Sequence, residues 1–358
     1  YDIGLVKEES YQRFIKKLED VNELTNKLNE VRFTPKSKIN EDLKALNVGT
    51  QITGNIIKCS SKEMADELEK YKKLNIKIKE RKNHTILKTN KIIGNKITLP
   101  FPSVGATINT ILASVKARGV TIIENAALEP EVSDLGNFLI SMGAKIEGAG
   151  TNIIKIIGVN KLKSIGYKIM PDRIEAGTFL CAAAITGSKI TVNNIVPSHI
   201  TPVIHKLEEA GCKLDVKENY IIIEAPKRLK SIEIKTMPYP GFPTDLQQIF
   251  GSMLTTAKGT SIIIENIFEN RFKYINELKR MGAKIVIEGK TAVITGTKKL
   301  VGATVEGNDL RGGAGLIIAG LAAKGRTTVN NIEYVFRGYE NIDKNLNFFM
   351  SFSFNEIS

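Results

Sequence analysis

Four stretches of the chain read alike: ARGVTIIENA from residue 117, ITGSKITVNNI from 185, AKGTSIIIENI from 257 and AKGRTTVNNI from 323. In each, a helix ending in small residues meets a glycine, and β-branched residues then alternate into an asparagine. A glycine after a helix suits the C′ position, where φ is positive, and the alternation suits a half-buried strand. Gly119, Gly187, Gly259 and Gly325 lie 68, 72 and 66 residues apart. Self-similarity at a fixed period signals a repeat architecture and constrains the fold before any single motif is read. A join follows each of the first three glycines, ISMGAKIEG, EEAGCKLDV and KRMGAKIVI, and leads into two strands separated by a turn. The fourth copy has NFFMSFSF there. The pattern predicts an α/β (α+β) chain of repeated strand and helix units. Helices such as EAGTFLCAAAIT are strongly apolar, which places them in a core inside a ring of short sheets.

The first 95 residues depart from this pattern. KKLEDVNELTNKLNEV has apolar residues at helical spacing, and LEKYKKLNIKIKERKNHTILKT reads as a worn copy of the join, with Asn75 in place of the glycine. We read this stretch as a diverged repeat. A chain of 358 residues is long for one core, and two domains are expected, 1–170 and 171–358.

The formal charge of +13 admits three readings: a lysine-rich compositional bias, a basic cleft for small anions, or a nucleic-acid surface. Aromatic residues make up only 6% and tryptophan is absent, so stacking platforms for bases are scarce and no nucleic-acid partner is expected. No apolar run approaches the length of a membrane span, and YDIGLVKEES lacks the pattern of a signal peptide. Three cysteines do not make a disulfide framework, and a reducing cytoplasm fits best. His84, His199 and His205 lack metal-ligand spacing, so no metal is expected.

TMPYPGFPTDLQQIF sets Asp245 behind Pro238, Pro240 and Pro243, which stiffen a non-helical approach. Thr244 is expected to be an N-cap and Gln247 its partner in a capping box, with Asp245 in the first helical turn. Whether Asp245 also does chemistry stays open on these residues alone. Ser103, Val104 and Gly105 open a helix in LPFPSVGATINTILASV, where free backbone N–H groups suit phosphate, although a plain serine cap accounts for the pattern too. Arg173 in MPDRIEAGTFL, Arg311 in NDLRGGAGL and Arg337 in FRGYENIDKNL stand at comparable helix starts. Three arginines so placed suggest a site for highly charged anions.

PSVGATINT, ENAALEPEVSDLGNFLISMGAKIEGAGT, MPDRIEAGTFL, PYPGFPTDLQ, IFENRF with ELKRMGA, and RGYE follow one another in an order and spacing similar to those of the UDP-N-acetylglucosamine 1-carboxyvinyltransferase family. The resemblance covers residues 96–345. It implies a two-domain inside-out α/β barrel built from repeated βαβαββ units, the enolpyruvyl transferase fold. It also implies transfer of the enolpyruvyl group of phosphoenolpyruvate to the 3-hydroxyl of UDP-N-acetylglucosamine, the first committed step of peptidoglycan synthesis, with no cofactor. On this resemblance Asp245 contacts the sugar as the base. Ser103, Val104 and Gly105 contact nucleotide phosphate, and Ile267 makes an apolar contact. Arg173, Arg311 and Arg337 line the cleft or help it close.

Two features of that family have no counterpart: an N-terminal Lys-Asn pair, and a loop whose cysteine is the proton donor. The chain starts without Met and is read as N-terminally truncated or diverged. Cys59 lies in the loop's region with unmatched neighbours, and the donor role is not assigned to it. The chain as given is therefore expected to be inactive or very slow. A catalytically silent paralogue that binds a UDP-sugar or a protein is the principal alternative. A shikimate-pathway enolpyruvyl transferase ranks lower, because PGFPTD and IFENRF depart from its expected sequence. An RNA 3′-phosphate cyclase, which needs a nucleophilic histidine motif, ranks last.

Overall fold

The computed structural model describes residues 91–346 in full and, before them, the backbone of four short strands. The chain forms two compact units, residues 1–97 with 116–122 and residues 98–115 with 123–358. The helix expected within residues 16–31 lies outside the described residues.

Strands β1 (Ile52–Thr53), β2 (Ile56–Cys59), β3 (Lys77–Arg81) and β4 (His84–Lys88) form a sheet in the order β1-β2-β4-β3. The antiparallel β3–β4 pair supplies the hairpin expected after the worn join. Next come β5 (Lys96–Thr98), α1 (Val104–Ser114), β6 (Val120–Glu124), α2 (Pro130–Ser141), β7 (Lys145–Glu147) and β8 (Ile153–Ile157). Then follow α3 (Arg173–Thr186), β9 (Lys189–Asn193), α4 (Thr201–Glu209), β10 (Lys213–Val216) and β11 (Tyr220–Glu224). The unit after these holds β12 (Glu233–Lys235), α5 (Gln247–Leu254), β13 (Thr260–Ile264), α6 (Tyr274–Arg280), β14 (Lys284–Glu288) and β15 (Thr291–Thr295). The last contains β16 (Leu300–Val301), β17 (Thr304–Glu306), α7 (Leu310–Leu321), β18 (Ala323–Lys324) and β19 (Thr328–Asn330).

The orders β5-β6-β8-β7 and β12-β13-β15-β14 repeat that of the N-terminal sheet, and β10-β11-β9 is the same arrangement without a first strand. One difference marks the N-terminal copy. The pairs β12–β13 and β17–β19 are parallel with a helix between them, whereas β1–β2 is antiparallel. Only two residues separate β1 from β2, and a parallel crossover needs a dozen or so.

All four repeat glycines have the positive φ expected of them, from 70° at Gly187 to 102° at Gly259. Helices α3, α5 and α7 pack on one another and carry the core. Every residue of α5 is buried, as are Leu180 to Ala184 of α3 and Leu316, Ile318 and Ala319 of α7. Gly315 lets α7 approach α5 closely: a Cβ there would lie 2.9 Å from the Gln248 carbonyl oxygen. Helices buried on all sides explain why their sequences show no polar face.

Candidate active site

The proline-rich approach closes on itself before reaching Asp245. Gly241 N–H donates to the Pro238 carbonyl (2.8 Å) and Met237 N–H to that of Phe242 (3.1 Å). Phe242 is buried edge-on against Phe250 of α5, with ring centroids 4.9 Å apart. Leu246, fully buried, packs over Gly177 of α3. The short 3-10 turn Thr244–Leu246 is thereby pinned at both ends, and Asp245 stands on it.

The expected capping box is absent. Thr244 Oγ1 does not cap the helix; it donates to Glu265 Oε2 (2.9 Å) and accepts from Arg271 Nη1 (2.9 Å). Gln247 is fully buried, and its amide reaches the Tyr274 hydroxyl at 3.4 Å. A charged neighbour on a distant loop outcompetes the local backbone for the threonine, because hydrogen bonds to ionised groups are the stronger ones.

Asp245 lies between two guanidinium groups. Arg271 Nη2 donates to Oδ1 at 2.7 Å, and Arg311 donates to Oδ2 from Nε (3.3 Å) and Nη2 (3.2 Å). Burial acts to raise the Asp245 carboxyl, but the two arginine charges outweigh it and hold the group below its ordinary value. Arg311 is fixed by α7, whose N-cap Asp309 accepts from the backbone N–H groups of Arg311 and Gly312. Its guanidinium covers the Tyr339 ring at 5.3 Å, and Tyr339 in turn bonds Thr178 of α3 at 2.9 Å. Arg311 Nη1 is buried without a well-formed hydrogen bond, while Tyr339 interacts with the same guanidinium, so one strong donor is left underused.

Asp245 and Arg311 share a cavity of about 610 Å³ with Arg173, Asp172, Glu131 and Asp134. Arg173 is set there by Asp172, which caps α3 through the N–H groups of Ile174 and Glu175. Its Nε donates to Glu131 Oε1 at 2.9 Å, and its guanidinium lies 5.7 Å from the Tyr239 ring centroid. Tyr167, whose hydroxyl donates to Asp134 Oδ1 (3.0 Å), forms part of the apolar wall with Phe138 and Ile165. The cavity thus combines apolar walls with a few converging charges, the usual make-up of a small-molecule site.

Three of the residues singled out from sequence meet here: Asp245, Arg173 and Arg311. Ser103, Val104 and Gly105 sit at the start of α1, where Ser103 Oγ accepts from Ala106 N–H (3.2 Å) and a Cβ on Gly105 would meet nothing within 4 Å. Ile267 is half-buried on the loop that also delivers Arg271. Arg337 is exposed on the turn Ile332–Arg337. None of these lines the cavity. Cys59 ends β2, and its side chain lies outside the described residues. Among the described residues no group of three or more His, Cys, Asp or Glu is placed to hold a metal ion, and no helix is long and apolar enough to cross a membrane.

Sequence reasoning overlooked Arg271, Glu265 and the pair Glu129 and Glu131. Arg271 lay within IFENRF, and its charge opposite Asp245 was the available signal.

The EPSP synthase (3-phosphoshikimate 1-carboxyvinyltransferase) family matches residues 60–346. The chain is 53% identical over 259 residues to UDP-N-acetylglucosamine 1-carboxyvinyltransferase 1 of Caldanaerobacter subterraneus subsp. tengcongensis, covering 72% of this chain and 62% of that protein. It is 54% identical over 259 residues to UDP-N-acetylglucosamine 1-carboxyvinyltransferase 2 of Clostridium tetani, with the same 72% and 62% coverage. The chain therefore spans under two thirds of the length of these two relatives. Among solved structures, the enolpyruvyl transferase NikO from Streptomyces tendae matches with a TM-score of 0.73 at 22% identity, over 82% of this chain and 72% of that one. EPSP synthase from Acinetobacter baumannii matches with a TM-score of 0.58 at 20% identity, over 79% of this chain and 70% of that one. These structural likenesses speak for the fold. With the family's match running from β3 through β19 and the curated relatives at half identity, the chain belongs to the EPSP synthase family of enolpyruvyl (carboxyvinyl) transferases.

Proposed function

We propose that this chain transfers the enolpyruvyl group of phosphoenolpyruvate to the 3-hydroxyl of UDP-N-acetylglucosamine. The observation that carries the reading is Asp245 held between two arginines at the cavity, in a chain half identical to proteins named for that reaction. In the reaction the sugar hydroxyl attacks C2 while C3 gains a proton, and the tetrahedral intermediate then loses phosphate. Both substrates are anions, and a carboxylate flanked by Arg271 and Arg311 gives a net positive end to the cavity.

The electrostatics divide the roles. With both oxygens on guanidinium groups, Asp245 is a good acceptor for a hydroxyl and a weak base. Phosphoenolpyruvate would draw Arg311 toward its own charge through the spare Nη1. That withdraws Arg311 from Oδ2, and the freed oxygen becomes basic when the sugar hydroxyl is beside it. Arg173 and Arg337 would meet further anionic charge, Ser103, Val104 and Gly105 the nucleotide phosphate, and Ile267 an apolar part of the nucleotide sugar. The reading includes domains 1–170 and 171–358 as inside-out α/β barrels, with buried α3, α5 and α7 consistent with the second. It also includes a cytoplasmic location and a part in peptidoglycan synthesis, and through it in cell shape and division. The chemistry as written needs no cofactor.

Phosphate release from phosphoenolpyruvate in the presence of UDP-N-acetylglucosamine tests the reading. Release that depends on both substrates supports it. Calorimetric binding of UDP-N-acetylglucosamine without turnover supports instead the silent, sugar-nucleotide-binding alternative. No heat at millimolar nucleotide sugar overturns both.

A further inference from the structure

The residue that follows the second strand of each described repeat is Asn125, Asn194 and Asn331 in three copies, with φ of 56°, 53° and 56°. Asparagine tolerates this left-handed turn better than any residue but glycine, which is why it recurs. After β13 the corresponding residue is Glu265, which is not among the positive-φ residues; the left-handed turn moves on to Asn270 (φ 58°). Glu265 is 1% exposed, and a carboxylate is rarely buried so completely unless it is fully bonded.

Four hydrogen bonds hold it near the site. Oε1 accepts from Thr236 Oγ1 (2.9 Å) and from the backbone N–H groups of Ile267 (2.8 Å) and Phe268 (3.1 Å). Oε2 accepts from Thr244 Oγ1 (2.9 Å). Because that hydroxyl spends its only proton on Glu265, its oxygen is left to accept from Arg271 Nη1 (2.9 Å), and Arg271 Nη2 then meets Asp245 at 2.7 Å. A one-way relay runs from Arg271 through Thr244 to Glu265.

We propose that Glu265 is a positioning residue of the active site, holding Thr244 and Arg271 in the register that pairs Arg271 with Asp245, and fixing the Ile267–Phe268 backbone by the same carboxylate. The two loops that carry Asp245 and Ile267 are thereby set by one buried charge, and this is the repeat unit that abandoned the asparagine turn. The proposal deepens the function proposed above and rests on it for the substrate only.

The test compares Glu265→Gln, Thr244→Val and Thr236→Val in this chain. Glutamine presents an N–H donor to Thr244, which reverses the relay without changing shape. Thr244→Val removes the middle of the relay, whereas Thr236→Val removes a more deeply buried hydroxyl from the same carboxylate outside the relay. The Asp245 carboxyl is titrated by carbon-13 NMR in the free protein, a readout that needs no substrate. The expected result is a titration moved to higher pH in Glu265→Gln and Thr244→Val. In Thr236→Val it stays unmoved, with a lower melting temperature. UDP-N-acetylglucosamine should bind about tenfold more weakly to the first two, on the scale of one charge-assisted hydrogen bond. An unmoved or lowered Asp245 titration in folded Glu265→Gln or Thr244→Val overturns the proposal. So does an equal shift in Thr236→Val, which would mean general loosening. Failure of the parent chain to bind the nucleotide sugar counts against the functional reading and leaves the titration result standing.

Discussion

Two arginine–carboxylate groups face the same cavity with opposite charge ratios. At one end a single carboxylate, Asp245, is shared by Arg271 and Arg311, and its carboxyl lies below its ordinary value. In the other group, Arg173 serves Glu131 directly and, through space, Glu129, which does not itself line the cavity. There each glutamate keeps one buried oxygen, Oε2, with no hydrogen bond, and the Glu129 carboxyl is pushed up by burial. His199, which lines a separate cavity with Asp134 and Tyr239, has a buried, unbonded Nδ1, and burial lowers the imidazole despite the nearby Glu131 charge. The first end is charge-locked and cationic, fit to receive an anion. The second is underpaired, costs stability, and is where protonation changes first.

The largest expected effect breaks the locked end. Asp245→Asn keeps the shape and removes both the negative charge and the base. The parent's own phosphate release is expected to be slow, since the Lys-Asn pair and the donor loop have no counterpart, and what there is should fall by about 10²–10⁴-fold, the range for general acid–base catalysis. A loss under threefold would remove Asp245 from the chemistry and reduce the contrast to a structural one.

Next in size is Arg173→Met, which strips the underpaired group of the cation that pairs with Glu131. Its guanidinium is nearly buried, with a side chain 9% exposed, while that of Glu131 is 40% exposed. Breaking a fully buried pair costs about 3–5 kcal/mol, and the wet partner reduces this to about 1–3 kcal/mol. Urea denaturation gives the number. A neutral result would show that Glu129 and Glu131 accommodate themselves without Arg173.

The two ends should also differ in acid. A carboxyl whose folded value is below its unfolded one contributes stability that is full above the unfolded value and is lost as pH falls through the folded one. Asp245 is such a group. Denaturation midpoints of the parent chain should therefore fall below about pH 4, the usual aspartate range, more steeply than those of Asp245→Asn. Parallel acid limbs would sever Asp245 from this pH dependence.

Much of the frame of this contrast was legible in the chain. The repeat glycines announced left-handed helix ends, and the apolar helices announced a core of α3, α5 and α7, because backbone sterics and burial act locally on sequence. Asp245, Arg173 and Arg311 stood out for the same reason, each beside a helix start. What escaped were partners brought in by tertiary structure. Thr244 reads as an N-cap until Glu265, 21 residues on, claims its proton. Glu131 drew no reading at all, because its partner Arg173 lies 42 residues on. The N-terminal pattern was partly readable in β3 and β4, but the antiparallel β1–β2 hairpin replaced the helical crossover that the period suggested.

The smallest effect is expected at Glu129, and its sign is the sharpest check on the comparison. Glu129 is the N-cap of α2, yet its side chain makes no capping bond and Oε2 is buried without a partner. Burial raises its carboxyl, and the backbone hydrogen bonds of Glu129 and Tyr239 together with the Arg173 charge offset this only in part. For an acid raised on folding, the folded chain holds the proton longer than the unfolded one. Stability therefore declines as pH climbs from the unfolded value through the folded value, and stays lower above it. Glu129→Gln removes that decline. Its melting temperature at pH 7 should exceed that of the parent by about 1–2 °C, and the two should converge near pH 4. This is opposite in sign to Asp245→Asn, whose loss of the shared anion leaves Arg271 and Arg311 facing each other. If Glu129→Gln instead melts lower at pH 7, the glutamate is held by a favourable contact, and the two ends of the cavity are alike after all.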